Sequence, residues 1–498
     1  MPRTILTRRM FLGQTTAATS VLIAPWLKQA MAQPSARGDS QERQRIEQAI
    51  PTKAFVTPRR PRKLLIFDLN VGYGGHGSIP TANHAFTRMG QRTGAYDTVI
   101  SRDPAIFESA SLRQFDAVFL NNTVGNLFEN PVLRRSLVDF VYAGGGLMGV
   151  HGTSVAFTRW PGAHEDWPEF GIMLGARGAN HRDSDEHVFI KLDDPDHPIN
   201  QAFKGRDFDY RDEFFRVHGP YSRDRVRVLL SIDTAKTTFE GQPRGNCHRE
   251  DDDYALAWVR QYGRGRVFYC TIAHNPYVFW DPKMLQFYLA ATQFALGDLP
   301  APTTPSAKLT PAVRAQERLG WRLVLMPSPV KELTLFELID KAAEQGLLYV
   351  GGSNRQKVSH EISKDFDGRL TADERRQIRL KLDAAGVRLL VYENEHEPST
   401  EADRQRIIAF ARIMGCEALA GKTGGLALEA APEIVKADGL ADAGSTTPLL
   451  ARISMSGPLS TIFTVEYGRD GPPTGSGWIQ DIEFFNKMSV RLAEGGKR

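Results

Sequence analysis

The chain has 498 residues, 41% of them hydrophobic, and a formal net charge of +4 from 62 basic and 58 acidic side chains. That length suggests two or three domains with ordinary packed cores, not a disordered chain. The near balance of charge gives no electrostatic case for nucleic acid. Three widely spaced cysteines, Cys247, Cys270 and Cys416, exclude a disulfide framework or a cysteine-rich metal site and read as buried thiols, with a single bridge in an oxidising compartment as the alternative.

At the amino terminus, Thr7-Arg8-Arg9-Met10-Phe11-Leu12 precedes a mildly apolar stretch and the small-x-small sequence Ala30-Met31-Ala32. Together they predict a twin-arginine export signal over 1–32, cleaved after Ala32. The apolar run is too short and too polar to span a bilayer, so a periplasmic protein without membrane contact is expected. Residues 33–60 form a polar leader with one short helix.

From 61 to 299 buried strands alternate with helices. Lys63–Phe67, Tyr96–Ile100 and Phe115–Leu120 are apolar strands, and His84–Thr93 is predicted helical. Pro131–Ala143 is an amphipathic helix opened by proline, where a missing N–H does no harm. The run Gly144–Thr153 follows: Leu147, Met148 and Val150 make a buried strand, and Gly149 and Gly152 bracket its exit. Near-continuous apolar strands joined by helices indicate a parallel sheet covered on both faces. Further strands are predicted at 188–191, 214–217 and 226–230. Ala255–Val259 and Arg266–Thr271 form a pair across Gly263-Arg264-Gly265, and Pro282–Leu296 is a closing helix.

Three histidines fall just past apolar strands: His76 after the first, His151 after Leu147–Val150, and His274 after Phe268–Ile272. In an open parallel sheet the carboxyl ends of the strands form the ligand-binding rim. If the sheet is parallel at these strands, all three gather there, joined by Asn121 and Asn122, with His181 and Glu213 within reach. Two chemistries suit such a rim. In one, His76, His151 and His274 hold a divalent metal. In the other, His151 or Glu213 moves a proton on a polyol or keto-sugar without metal. No tight ligand spacing such as His-Glu-x-x-His is present, and scattered structural histidines remain a third reading. His164, His187 and His197 read as structural. Catalysis is assigned to His151 and Glu213, and substrate contact to His76, Asn121, Asn122, His181, His274 and Trp280. Trp160, Trp167 and Tyr277 are further candidates to stack on a sugar. The sequence has no Gly-x-Ser-x-Gly elbow, because His151 occupies the equivalent turn, and no phosphate-binding glycine loop.

Lys63–Asn70, Gly74–His76, Phe115–Thr123, Gly144–Thr153, Asp196–Ile199 and Arg211–Phe215 together resemble the ThuA-like (trehalose utilisation) family. The resemblance implies a class I glutamine-amidotransferase-like fold, a flavodoxin-like sheet with helices on both sides. It also implies carbohydrate metabolism, especially of keto-sugars and glycosides. Amidotransferases of this fold carry a cysteine nucleophile on the elbow; His151 stands there instead, which argues against thiolate chemistry.

Residues 300–318 read as a semi-extended proline-rich linker. Beyond it strand–helix alternation resumes, with strands at Trp321–Leu325, Leu347–Gly352, Val387–Tyr392 and Cys416–Ala420. Helices are predicted at 334–345, 371–385 and 400–414, with Thr371 and Glu374 spaced as a capping box. Gly386–Tyr392, Phe463–Tyr467 and Ile482–Asn486 resemble the xylose-isomerase-like barrel family of sugar isomerases and epimerases. The resemblance places a metal-binding Glu at Glu466 but matches no middle-strand ligand. Glu393, Glu395, His396 and Glu397 end the third strand and read either as a solvated loop or as part of a polar rim. Residues 319–498 are therefore expected to form a truncated (β/α) barrel of roughly five strands, completed by a second protomer or by the first domain. The functional expectation is an exported carbohydrate-active enzyme, a hydrolase, lyase or isomerase. The alternatives are a sugar-binding or assembly protein, and a sugar isomerase working through the barrel.

Overall fold

The computed structural model describes residues 36–160, 164–238, 248–328, 332–396, 398–421, 426–427, 438–440, 450–453, 461–466 and 477–495. The export signal, Cys247, Glu397 and Tyr467 lie outside them. Among the described residues no helix is long and apolar enough to cross a membrane.

The first sheet has nine strands. Its core is parallel and runs Asp97–Ser101, Lys63–Phe67, Ala117–Asn121, Gly146–Val150, Gly265–Cys270. Side chains alternate faces along these strands, as a pleated backbone requires. Leu64, Ile66, Phe119, Met148 and Phe268 face one core, which helices Ile79–Thr93 and Pro282–Leu296 cover. Leu65, Phe67, Val118, Leu147 and Val267 face the other, under helix Pro131–Tyr142. Both faces being buried explains the uninterrupted apolar runs. Gly146 fits because a Cβ there would stand 2.2 Å from the Ala295 carbonyl oxygen, which brings helix Pro282–Leu296 against the strand.

Past Gly265–Cys270 the sheet turns antiparallel, through Ala255–Tyr262, Arg227–Ile232, Glu186–Leu192 and Phe208–Asp212. Four reversals leave Phe208–Asp212 running in the same sense as the parallel core. Its end therefore opens on the same rim. The predicted strand at 214–217 does not form as one piece. The ladder stops at Asp212, and Arg216–His218 pairs with Arg177–Asn180 in a separate ribbon. Between them the chain crosses back over the rim, with the Phe215 N–H donating to Thr271 Oγ1 at 2.8 Å.

The leader helix Ala36–Ala49 is docked, with Ile46 and Ile50 buried in the first core. Helix Ile79–Thr93 begins five residues before the predicted start, with proline in its first turn. Half of the predicted linker is helical: Pro311–Leu319 packs on helix Gly477–Gly495, with Gln316 Nε2 donating to Asn486 Oδ1 at 2.8 Å.

The second sheet is a half-barrel. Five parallel strands, Thr461–Glu466, Trp321–Met326, Tyr349–Ser353, Arg388–Asn394 and Ala418–Gly421, carry short antiparallel neighbours at both ends. The Thr371–Glu374 capping box is present. Buried arginines join the two sheets. Arg379 pairs with Asp139 at 2.7 Å and lies 4.6 Å above the Tyr142 ring, while Arg260 pairs with Asp383 at 2.5 Å.

Candidate functional site

The strand Gly146–Val150 ends in a sharp elbow that turns into a short 3-10 helix, His151–Val155. His151 sits at the bend with φ 43°, a left-handed conformation that costs a non-glycine residue about 1–2 kcal/mol. Its backbone carbonyl accepts from Tyr269 Oη at 2.8 Å and Ser154 Oγ at 3.1 Å, which holds the turn. The imidazole is fully buried. Parallel pairing of Cys270 with Val150 sets the chain after Gly265–Cys270 alongside, and this places His274 next to His151.

His76, His151, Glu213 and His274 converge, with one ligand atom from each lying within 4.8 Å of all the others. Glu213 was expected as a proton carrier and here joins the three histidines. His151 Nε2 is 3.2 Å from Glu213 Oε1, His274 Nδ1 is 3.3 Å from His151 Nε2, and His274 Nδ1 is 3.3 Å from Glu213 Oε1. A tetrahedral ion with bonds of about 2.0–2.1 Å holds its ligand atoms about 3.3 Å apart. The three atoms thus form one face of such a site. His181 stands one step out, its Nδ1 3.2 Å from Glu213 Oε2.

The protons do not suit this triangle on their own. His151 Nδ1 is 3.0 Å from the Thr271 carbonyl oxygen, which can only accept, so Nδ1 carries the proton. Burial pulls the His151 pKa down despite Glu213, and pulls His76 down to about 2, so both rings are neutral. His151 Nε2 then presents a bare lone pair. Burial also lowers His274, but the Glu213 carboxylate outweighs it and raises the pKa. Burial raises Glu213, yet the imidazoles packed around it hold it well below the usual carboxylate range. It is therefore an anion. One proton on His274 Nδ1 cannot satisfy all three edges, and His151 Nε2 faces Glu213 Oε1 as acceptor against acceptor. The Nδ1 of His76, also buried, has no hydrogen-bond partner. A cation over this face would resolve each conflict. The Thr271 carbonyl is the kind of outer partner that fixes the tautomer of a metal-binding histidine.

Residues 63–295 match the ThuA family model. Its description is trehalose utilisation. The ThuA-like region is similar to ThuA-like proteins of known structure from Bacteroides uniformis ATCC 8492 and Parabacteroides merdae ATCC 43184. Each is 17% identical over 48% of this chain, covering 93% and 92% of their lengths with TM-scores of 0.39 and 0.34. A β-galactosidase from Bacillus circulans sp. alkalophilus matches at 12% identity over 48% of this chain and 32% of its own, with a TM-score of 0.30. No curated protein matches the chain.

The other predicted residues of the ThuA-like domain take supporting places. Asn122 is buried, donating to the Ala273 carbonyl at 3.0 Å and Ser78 Oγ at 3.2 Å and accepting from the Gly152 N–H at 3.2 Å. It ties together the loops that carry His76, His151 and His274. Asn121, also buried, donates to the Ile79 carbonyl at 3.1 Å and to Asn83 at 2.9 Å. Trp280 lies under Arg45 of the leader helix, at 5.5 Å. Trp167 is packed against Phe157 and Arg134. Tyr277 Oη donates to the Arg211 carbonyl at 2.9 Å.

Three contributors were not anticipated. Asp212 accepts from the backbone N–H groups of His274 and Asn275, at 3.1 and 3.0 Å, and is pushed by burial up to about 7. Thr271 supplies the carbonyl beneath His151. Tyr73, set in the glycine run after the first strand, has its ring 5.1 Å from that of His76. An aromatic residue in a run of glycines was the available signal for it. In the half-barrel, Glu395 and Glu466 lie near Glu393 and, with burial, raise its pKa. Among the described residues these groups do not converge as the histidines do.

Proposed function

We propose that this chain is an exported, metal-dependent enzyme that acts on a glycoside or keto-sugar at His76, His151, Glu213 and His274. The observation that carries the metal reading is the contact between the unprotonated Nε2 of His151 and the Glu213 carboxylate at 3.2 Å, inside a buried cluster. Nitrogen donors with one carboxylate suit zinc or a neighbouring first-row divalent ion. When bound, such a metal supplies Lewis-acid polarisation of a sugar oxygen or carbonyl.

The chain's own groups divide the remaining work. His151, His76, His274 and Glu213 orient and hold. Thr271 fixes the His151 tautomer, and Asp212 fixes the backbone at His274. With His151 and Glu213 engaged as ligands, His181 is the imidazole placed to take and return a substrate proton. The family description supports carbohydrate as the substrate class. The twin-arginine sequence supports export.

Elemental analysis of the purified protein together with activity of His151→Ala on 3-keto-glycosides tests this reading. The expected result is about one divalent ion per chain, lost in the variant together with turnover. If wild type and variant bind sugar equally and neither turns it over, the chain is a sugar-binding protein instead.

A further inference from the structure

Beside the histidine cluster lies a small apolar group that belongs to neither face of the sheet. It consists of Val124, Val155 and Phe215, all buried, with the partly exposed Trp160 packed against them. The Phe215 ring is 4.8 Å from that of His151, so this group adjoins the site directly. Tyr73 completes an aromatic lip, with its ring 5.9 Å from Trp160 and 36% of its surface exposed.

The loop that carries Tyr73 is anchored at its base. The Val71 N–H donates to the Val124 carbonyl at 2.9 Å. Beyond that anchor, Gly72 and Gly75 have φ of +69° and +88°, which explains glycine at both. Gly74 and Gly77 have no such conformation, and a Cβ at either would meet nothing within 4 Å. Neither backbone nor packing explains them, and they leave open space next to Tyr73 and His76.

We infer that the Tyr73 ring is the stacking platform for one pyranose ring and that Trp160, set edge-on to it at 73°, forms the wall beside it, with Gly74 and Gly77 keeping room for the sugar's substituents. A pyranose presents C–H groups on one face and hydroxyls around its edge. The C–H face suits an electron-rich aromatic ring. A ring seated there directs its polar edge toward His76 and His151. This platform rests on the proposed carbohydrate chemistry, and its residues are those that select the sugar.

The test titrates trehalose and 3-oxo-trehalose into full-length wild type, Tyr73→Ala, Tyr73→Phe, Tyr73→Trp and Gly74→Val by calorimetry, measuring the metal content of each protein. Tyr73→Ala should bind at least about tenfold more weakly with unchanged metal content, since truncating an aromatic anchor typically costs this much or more. Phe and Trp should retain binding, and Gly74→Val should lose it. Equal sugar affinity in Tyr73→Ala and wild type overturns the platform. A wild type that takes metal but neither sugar also overturns it. Sugar binding that depends on Tyr73 in a protein that takes no metal leaves the platform standing and overturns the metal reading instead.

Discussion

Replacing Glu213 by glutamine keeps the side chain's shape and removes its charge, and the metal reading sets the size of the resulting change in stability. In chelated wild type the carboxylate faces the bare Nε2 of His151 at 3.2 Å. The glutamine amide can donate to that nitrogen, which offsets most of the lost contact with His274, so chelated Glu213→Gln should melt only slightly below chelated wild type. If His151 were instead an imidazolium paired with Glu213, breaking a buried ion pair would cost ~3–5 kcal/mol. For a cooperative unit of this size that is a fall of roughly 6–20 °C. Adding metal widens the gap. An ion at 100 times its dissociation constant stabilises by about 2.7 kcal/mol, so wild type should gain roughly 5–11 °C. The variant, without the anionic ligand, should gain little at the same concentration. Differential scanning fluorimetry with and without chelator reads both effects. A chelated variant melting far below chelated wild type, or an equal gain with metal, would refute the reasoning.

Three further outcomes are expected. His197 is buried, bonds the Pro302 carbonyl at 2.9 Å, and is pulled down to about 4, mainly by burial. The unfolded chain takes up this proton near pH 6.5, so stability present above that pH should be lost as pH falls toward 4, by ~3 kcal/mol from this group. Melting curves of wild type and His197→Asn should differ in slope across that window; parallel curves would reject the assignment. Gly125 has φ +86°, and a Cβ there would lie 1.9 Å from the Val71 carbonyl oxygen. Gly125→Ala should therefore destabilise by ~2 kcal/mol or more and displace the His76 loop, lowering metal content with it. Arg379→Ala strips a buried guanidinium from the partly exposed Asp139 and from the Tyr142 ring, which should cost ~1–3 kcal/mol and split one calorimetric transition into two as the sheets uncouple.

The parts of this fold that could be read in the sequence are those set by local periodicity. Apolar runs locate the parallel strands, and the position of a histidine just after such a run locates His76, His151 and His274. The Gly263–Gly265 turn fixes the hairpin that carries His274. What could not be read depends on distant pairing. The ladder at Phe208–Asp212 stops because the chain must cross to Thr271, and nothing in Phe214-Phe215-Arg216-Val217 signals this. The start of helix Ile79–Thr93 is hidden by Pro80, which is tolerated in a first turn but resembles a loop signal. Helix Pro311–Leu319 is short, and its packing on helix Gly477–Gly495 is remote in sequence. The roles of Asn121 and Asn122 were equally out of reach, since a polar side chain at a strand end can face a ligand or staple neighbouring loops.

The Asn122 amide touches three segments far apart along the chain, and each carries one imidazole of the cluster. The three imidazoles are therefore fixed when the chain folds, and a metal held among them would have little freedom to rearrange them. Such a frame discriminates among ions by size and coordination number more than by charge. Loosening it, for example with Asn122→Ala, should widen the range of ions accepted while weakening the hold on each.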